Sequence, residues 1–531
     1  MTTIRSLWPG DKTFFILVLI ISLPVLLINL GAVPFIEDEG IRGLVALEMD
    51  HSGQLITPTL YGEYYFKKPP LWNWILLASY RMTGIASEFT TRLPVILFLF
   101  LFTISIYHTY KKYFSARFAT LNALFFLTCG RILFWDSMLG LIDIAFSWFI
   151  FLFFFWIFHF HHKQKTLTLY SGIYFLIALA FLLKALPALV FLVLTMLLAH
   201  YHFNSWRNLF TWQHLAGVSI FLAITGGYLY SFSQYQPVEK LLEVFLSEST
   251  RRTVLKHGIL ESVIQLFLFP FEMVYHFLPW SALSVVLFHR ESRKLIKGNP
   301  VIFFMSITFL ANVWIYWTSP EVYPRYLLMF VPLYFGTCLY IYEHTVGSKM
   351  HQIADILLIL LAGTVLLGSS VVLFNHDTRE VSGLWWKWAI VVLPMTISVV
   401  SMVRYRGYRL HAFVLFLIVA RLGFSLIVLP SRAEFSKGAQ TRTDSYRVAE
   451  LTRGSDLYIY DHDSLRYEVG FYLTTARGTS LNTTEELQEN AYMLVNHANY
   501  STLAPDFEVV DSIRVRRKDK YVYLVKGPMI R

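Results

Sequence analysis

The residues best suited to chemistry lie together in Glu37–Pro70, where EDEGIRGLVALEMDHSGQLITPTLYGEYYFKKPP packs acids, bases and a proline pair directly behind an apolar run. Asp38 and Glu39 follow the run Phe14–Phe35, so the acids emerge where a spanning helix would reach water. Lys67 and Lys68 stand just ahead of Pro69, Pro70 and a second hydrophobic stretch. A carboxylate takes a proton from an attacking hydroxyl and a lysine steadies an anionic leaving group, so a charged loop held at a bilayer surface suits transfer chemistry. The acidic pair also fits a plainer role, capping a surface helix.

The elements that must position these residues are membrane spans. Of 531 residues, 56% are hydrophobic and only 15% charged, against roughly 25% charged in soluble domains. Apolar runs near the ~20-residue length that crosses hydrocarbon number about 13. They centre on Leu19, Leu99, Leu124, Ile150, Leu176, Leu194, Leu222, Leu283, Ser306, Leu333, Leu361, Leu393 and Leu417. Lys and Arg concentrate in alternate turns, at Lys111, Lys112 and Arg117, at Lys163 and Lys165, at Arg290–Lys297, at Lys349 and at Arg404–Arg409. That asymmetry predicts a cytoplasmic N-terminus and an outward C-terminal tail. The net charge of +10 is then topological, and nucleic acid is excluded as a partner. Cys129 and Cys338 fall in or beside spans, without a disulfide framework or zinc spacing, and the first apolar run reads as a retained helix.

The change of composition after Pro430 divides the chain into a transmembrane unit, 1–430, and a small α/β unit, 431–531. The first unit carries two long outward loops, 34–92 and 231–275. In the first loop, Ile41, Leu44, Val45 and Met49 recur at helical spacing up to Ser52-Gly53, and a second surface helix starts at Pro70 with Leu71, Trp74, Ile75 and Ala78 as its apolar face. The second loop holds Glu239, Glu243, Glu248, Arg251, Arg252, Lys256 and His257. After Pro430, β-prone segments end at Tyr460, Val495 and Val525, with helix-compatible stretches at Leu465–Leu473 and Thr484–Asn490.

A DE pair beyond the first span, GxxYFxKPP over Gly62–Pro70, an Asp in the fourth span and a soluble C-terminal unit resemble the GT-C membrane glycosyltransferases. The similarity is to the bacterial aminoarabinose lipid A transferases and their protein O-mannosyltransferase relatives, with weaker echoes near Asp143, Lys184, Glu248 and Tyr275–Trp280. This resemblance implies transfer of a sugar from a polyprenyl-phosphate donor to a lipid, protein or glycan acceptor at the outer face of the cytoplasmic membrane, among membrane lipids. Asp38 becomes the candidate base with Glu39 as its alternate, Lys68 the phosphate-binding lysine, and Tyr65, Glu248 and Arg251 substrate contacts.

Arg325, after Pro324 at the outward start of a span, is a second phosphate ligand by its helix-terminal position. Asp143, at membrane depth, is costly enough to be functional and is a further catalytic candidate, with Asp136 its rival, and Lys184 at the matching turn is a third candidate for the donor phosphate. Two departures stand out: Ala185 follows Lys184 where relatives commonly have Gly, and Lys67 precedes Lys68 where relatives often have an acid. The second removes one ligand for a divalent cation, which some relatives require and others do not. His257 and His276 show no ligand spacing with a second His. The alternative class is a transporter or flippase of a lipid-linked sugar, although no internal repeat supports it. A receptor or assembly protein that binds through its C-terminal unit is the third reading.

Overall fold

The computed structural model describes residues 9–36, 38–250, 259–319, 322–461, 465–486, 488, 491–503, 508–515 and 521–526. The protein is a multi-span α-helical membrane protein with a small C-terminal sheet domain. The chain enters through α1 (Asp11–Leu27), then forms α2 (Glu39–Ser52), a two-stranded hairpin of β1 (Thr59–Leu60) and β2 (Glu63–Tyr64), and α3 (Leu71–Thr83). There follow α4 (Glu88–Lys111), α5 (Ala116–Leu127), α6 (Gly130–Phe134), α7 (Asp143–His162), α8 (Thr166–Lys184), α9 (Leu186–His202), α10 (Trp212–Ser233) and α11 (Val238–Thr250).

Among the described residues nine helices are long and apolar enough to cross a membrane: α4, α7, α8, α10, Pro300–Trp317, Pro324–His344, Lys349–Leu373, Leu384–Arg404 and Arg406–Phe435. A tenth is the bent pair of α5 with Gly130–Met138, angled by 44°. Gly130 fits this bend because a Cβ there would lie 2.7 Å from the Leu278 carbonyl oxygen, which accepts from its N–H at 2.8 Å. The 17-residue α1 and α9 are apolar but shorter.

The centre expected at Leu283 is not a span. It lies in the short 3-10 segment Trp280–Phe288, closed off by Pro279 and the charged run from His289. The apolar helix of this region is Ile259–His276, inside the stretch expected to be a loop. Glu261, Pro270 and Glu272 break its hydrophobic run in sequence, while Phe267 and Phe271 remain exposed on its surface.

The last span runs through Pro430 to Phe435, five residues past the expected boundary. Beyond it the helices Lys437–Leu451 and Tyr467–Arg477 pack with a five-stranded sheet ordered β4-β3-β5-β7-β6. Here β3 (Leu457–Tyr460) runs parallel to β4 (Asn482–Thr484) and β5 (Tyr492–Asn496), and β7 (Tyr521–Lys526) is antiparallel to β5 and β6 (Glu508–Arg514). The sequence pattern misses β4 and β6 because both are edge strands, where polar residues are tolerated and alternation is weak. The helix expected over Thr484–Asn490 begins on β4 and bends at 485–486 instead; positions 487, 489 and 490 lie outside the described residues.

This domain sits on α2 and the first loop. Gly40 and Gly43 permit the approach, since a Cβ on Gly40 would be 2.6 Å from the Glu468 nitrogen and one on Gly43 3.1 Å from the Phe471 ring. Tyr472 donates to Glu88 at 3.0 Å and accepts from the Phe35 N–H at 3.1 Å, and Arg442 pairs with Glu88 at 3.1 Å. The terminal domain therefore lies on the face that carries Asp38.

Candidate active site

Asp38 and Glu39 are neighbours with different environments. Asp38 occupies the N-cap position of α2, yet its side chain makes no capping bond; it is 52% exposed and accepts from Arg325 at 3.4 Å. Glu39 is fully buried. Its Oε1 accepts from Arg92 Nε at 2.8 Å and Gly140 N–H at 2.7 Å, and its Oε2 from Arg92 at 2.9 Å and Ile36 N–H at 2.8 Å. Arg92 in turn donates to the carbonyls of Leu30 and Val33, both at 2.8 Å. A carboxylate with four donors has no lone pair left for an incoming hydroxyl, so the geometry separates Glu39 from the base role its sequence position allowed.

One turn along α2, Arg42 lies over the Tyr65 ring at 5.8 Å. Tyr65 is placed by the hairpin, and the hairpin is placed by Glu48. The buried Glu48 carboxylate accepts from Tyr61 N–H at 2.7 Å and Thr59 Oγ1 at 2.8 Å. Burial raises the Tyr65 phenol above its ordinary pKa against the lowering pull of Arg42, and the nearby charges of Glu248 and Asp38 raise it further. Tyr65 thus lies within electrostatic reach of both the first loop and α11.

Asp143 opens α7, where the helix N-terminus favours an anion, and Lys184 closes α8, where the C-terminus favours a cation. The two form an ion pair, with Lys184 over the rings of Phe146 and Tyr326 at 5.0 and 4.5 Å. Ala185 then turns the chain into α9 at φ 57°, a left-handed conformation that a glycine would adopt more readily. Arg325 enters from the 3-10 turn Pro324–Phe330, 4% exposed, with Tyr323 at 4.4 Å under its guanidinium. Its Nε lies 3.5 Å from Asp143 and its Nη2 3.4 Å from Asp38, giving a continuous chain Asp38–Arg325–Asp143–Lys184.

Asp136 pairs with Arg131 at 3.1 Å and stays outside this chain. Lys68 is half-buried and Lys67 exposed at the entry to α3; Glu248 is half-buried on α11. Arg251 and His257 lie outside the described residues. His276 ends the helix Ile259–His276. Among the described residues no group of three His, Cys, Asp or Glu is placed to hold a metal ion. Asp38 and Asp143 each contact the Arg325 guanidinium, which supplies the positive charge between these two carboxylates.

Sequence reasoning missed Arg42, Glu48 and Arg92. The signal for Arg42 was present, since it lies four residues from Asp38 and so on the same helical face. On α3 the apolar face expected of a surface helix is the one left open, with Leu71, Trp74 and Ile75 half-buried and Ala78 exposed, whereas Trp72, Asn73, Leu76, Leu77, Ser79 and Tyr80 are buried against the protein. In a lipid setting the more apolar face need not be the inward one, because hydrocarbon satisfies it equally well.

Residues 67–230 match the family described as dolichyl-phosphate-mannose-protein mannosyltransferase. The structure is similar to ArnT from Cupriavidus metallidurans bound to undecaprenyl phosphate, with a TM-score of 0.74 and 19% identity over 98% of this chain and 100% of that one. The apo form of the same ArnT gives a TM-score of 0.72 at 19% identity, covering 98% of this chain and 99% of that one. No curated protein matches the chain in sequence. The chain therefore has the fold of ArnT.

Proposed function

We propose that the protein transfers a sugar from a polyprenyl-phosphate carrier to a hydroxyl-bearing acceptor at the outer face of the cytoplasmic membrane. The observation that carries this reading is the chain Asp38–Arg325–Asp143–Lys184, which ends in an uncapped, half-exposed carboxylate. Asp38 takes the acceptor's proton as its oxygen attacks the anomeric carbon, and the bond from that carbon to the phosphate oxygen breaks. The departing lipid phosphate is met by Arg325 and Lys68, with Lys184 held in place by Asp143.

The match at residues 67–230 and the undecaprenyl phosphate held by the similar ArnT support the donor class. The lysine and arginine distribution supports a cytoplasmic N-terminus with the catalytic face outside. Membranes containing the protein, given a panel of labelled polyprenyl-phosphate sugars, should move label into an acceptor. Movement of the lipid-linked sugar between leaflets without any transfer would favour the flippase reading instead.

A further inference from the structure

We infer that Asn73, with Ser147 as its companion, forms a neutral hydrogen-bonding subsite for a hydroxyl or amide group of the transferred sugar or its acceptor. The inference rests on the transferase reading for its ligand and on burial for its existence. Asn73 is 1% exposed, and neither its carboxamide oxygen nor its nitrogen has a hydrogen-bond partner among the described residues. A buried primary amide offers two donors and two acceptor lone pairs, and leaving all of them unmade is strongly unfavourable in an apolar interior. Such a group persists where a ligand supplies the missing bonds.

Its place ties it to the site. Asn73 is in the first turn of α3, five residues after Lys68 and three after Pro70, the N-cap of the helix. The adjacent Trp72 indole donates at 3.2 Å to the carbonyl of Gly140, the same residue whose N–H binds Glu39 and which precedes Asp143 by three positions. The first turn of α3 is thus bonded to the turn that launches α7. On α7, Ser147 lies one helical turn after Asp143 on the same face. It is 1% exposed with an unpartnered hydroxyl, although serines and threonines elsewhere in these helices, such as Thr103 and Ser105, donate to the carbonyl four residues back. Two orphaned neutral groups therefore accompany the charged chain, one on each of the helices that begin at Lys68-Pro69-Pro70 and at Asp143.

The charged chain handles a phosphate and a proton; it offers little to distinguish one sugar from another. Neutral amide and hydroxyl groups do that work, because a site built to bond a hydroxyl discriminates sharply against a substrate that lacks it. Asn73 and Ser147, neutral and unpartnered, would read a feature of the substrate that Asp38 and Arg325 cannot.

The test uses the full-length protein in detergent or proteoliposomes, as wild type, Asn73→Leu and Ser147→Ala. Replacing an unpaired buried amide by a similar-sized apolar group removes its desolvation cost, so Asn73→Leu should raise Tm of the ligand-free protein by about 2–4 °C. The same variant should lose about 10- to 100-fold in kcat/KM for sugar transfer from the best labelled polyprenyl-phosphate sugar, and Ser147→Ala should lose less. A fall in Tm for Asn73→Leu would show the amide to be a structural hydrogen-bonding group and overturn the inference, as would unchanged kcat/KM across the sugar panel. An inactive wild type would count against the transferase reading alone, and the Tm comparison would still decide whether Asn73 is held unpaired.

Discussion

The two carboxylates at the start of α2 are adjacent in sequence and opposite in condition. Glu39 is sealed, with both oxygens saturated by Arg92, Gly140 and Ile36, and Arg92 itself secures the carbonyls behind α1. Asp38 is half in water and holds one long contact to an arginine that is shared with Asp143. A saturated buried pair fixes geometry, because any change of charge there is costly; an unsaturated pair at an opening can exchange partners with a substrate. The contrast divides this region into a scaffold and a reactive chain, although the residue types alone do not distinguish them.

The largest effects should separate the two. Asp38→Asn is expected to lower sugar transfer by about 10³-fold, the scale of a positioned general base, with Tm unchanged. Glu39→Gln should do the reverse in order of cause: it leaves a buried guanidinium without its counter-charge and should destabilise the fold by about 3–5 kcal/mol, as breaking a buried pair does. Measuring Tm and turnover on both variants checks the division. Near-normal transfer by Asp38→Asn, or an unperturbed Tm for Glu39→Gln, would dissolve it.

A smaller effect probes the cationic end of the reactive chain. Lys68→Ala should reduce turnover by about 100-fold, the loss typical of one preorganised donor to a developing anion, and Lys68→Arg should restore part of it. The rate at saturating donor should fall while the acceptor constant stays put. A raised acceptor constant with unchanged turnover would remove Lys68 from the phosphate site. Tags at Lys163, Lys294 and Lys349 should report from the cytoplasm and a tag at Arg531 from outside; a cytoplasmic Arg531 would detach the whole reactive face from the outer leaflet.

Much of this arrangement was legible because apolar runs and helix boundaries are local properties. The run to Ser52-Gly53 closes α2 with Gly53 in the left-handed conformation, and Pro70 heads α3, both where local rules place them. The assembly of Asp38, Asp143, Lys184 and Arg325 was not legible as an assembly, since up to 287 residues separate members of one pair. The separation of Glu39 from Asp38 was invisible for the same reason: Arg92 is a distant residue at the start of α4, and in sequence it looks like an interfacial cation. The protein-facing side of α3 shows a further limit. An apolar stripe marks the lipid face of a surface helix but does not show that the opposite face buries Asn73, Ser79 and Tyr80 against the protein.

The smallest expected effect concerns pH and belongs to the scaffold side of the contrast. Glu48 is buried against the hairpin that carries Tyr65, and burial raises its carboxyl above the usual value despite the opposing hydrogen bonds from Tyr61, Thr59 and Gly62. A raised folded-state pKa means that the native protein holds this proton more tightly than the unfolded chain does. The associated stabilisation is then complete below the unfolded carboxyl pKa of about 4.5 and is lost as pH rises through the higher folded value. Stability should therefore decline with rising pH just above the ordinary carboxylate range, and Glu48→Gln should remove that component of the slope while lowering stability throughout, because its NH2 group meets donors on one side. Thermal unfolding of both proteins from pH 4 to pH 8 measures the difference. Parallel pH profiles would mean that the hairpin's three hydrogen bonds outweigh burial and keep Glu48 charged, making it a second saturated carboxylate like Glu39.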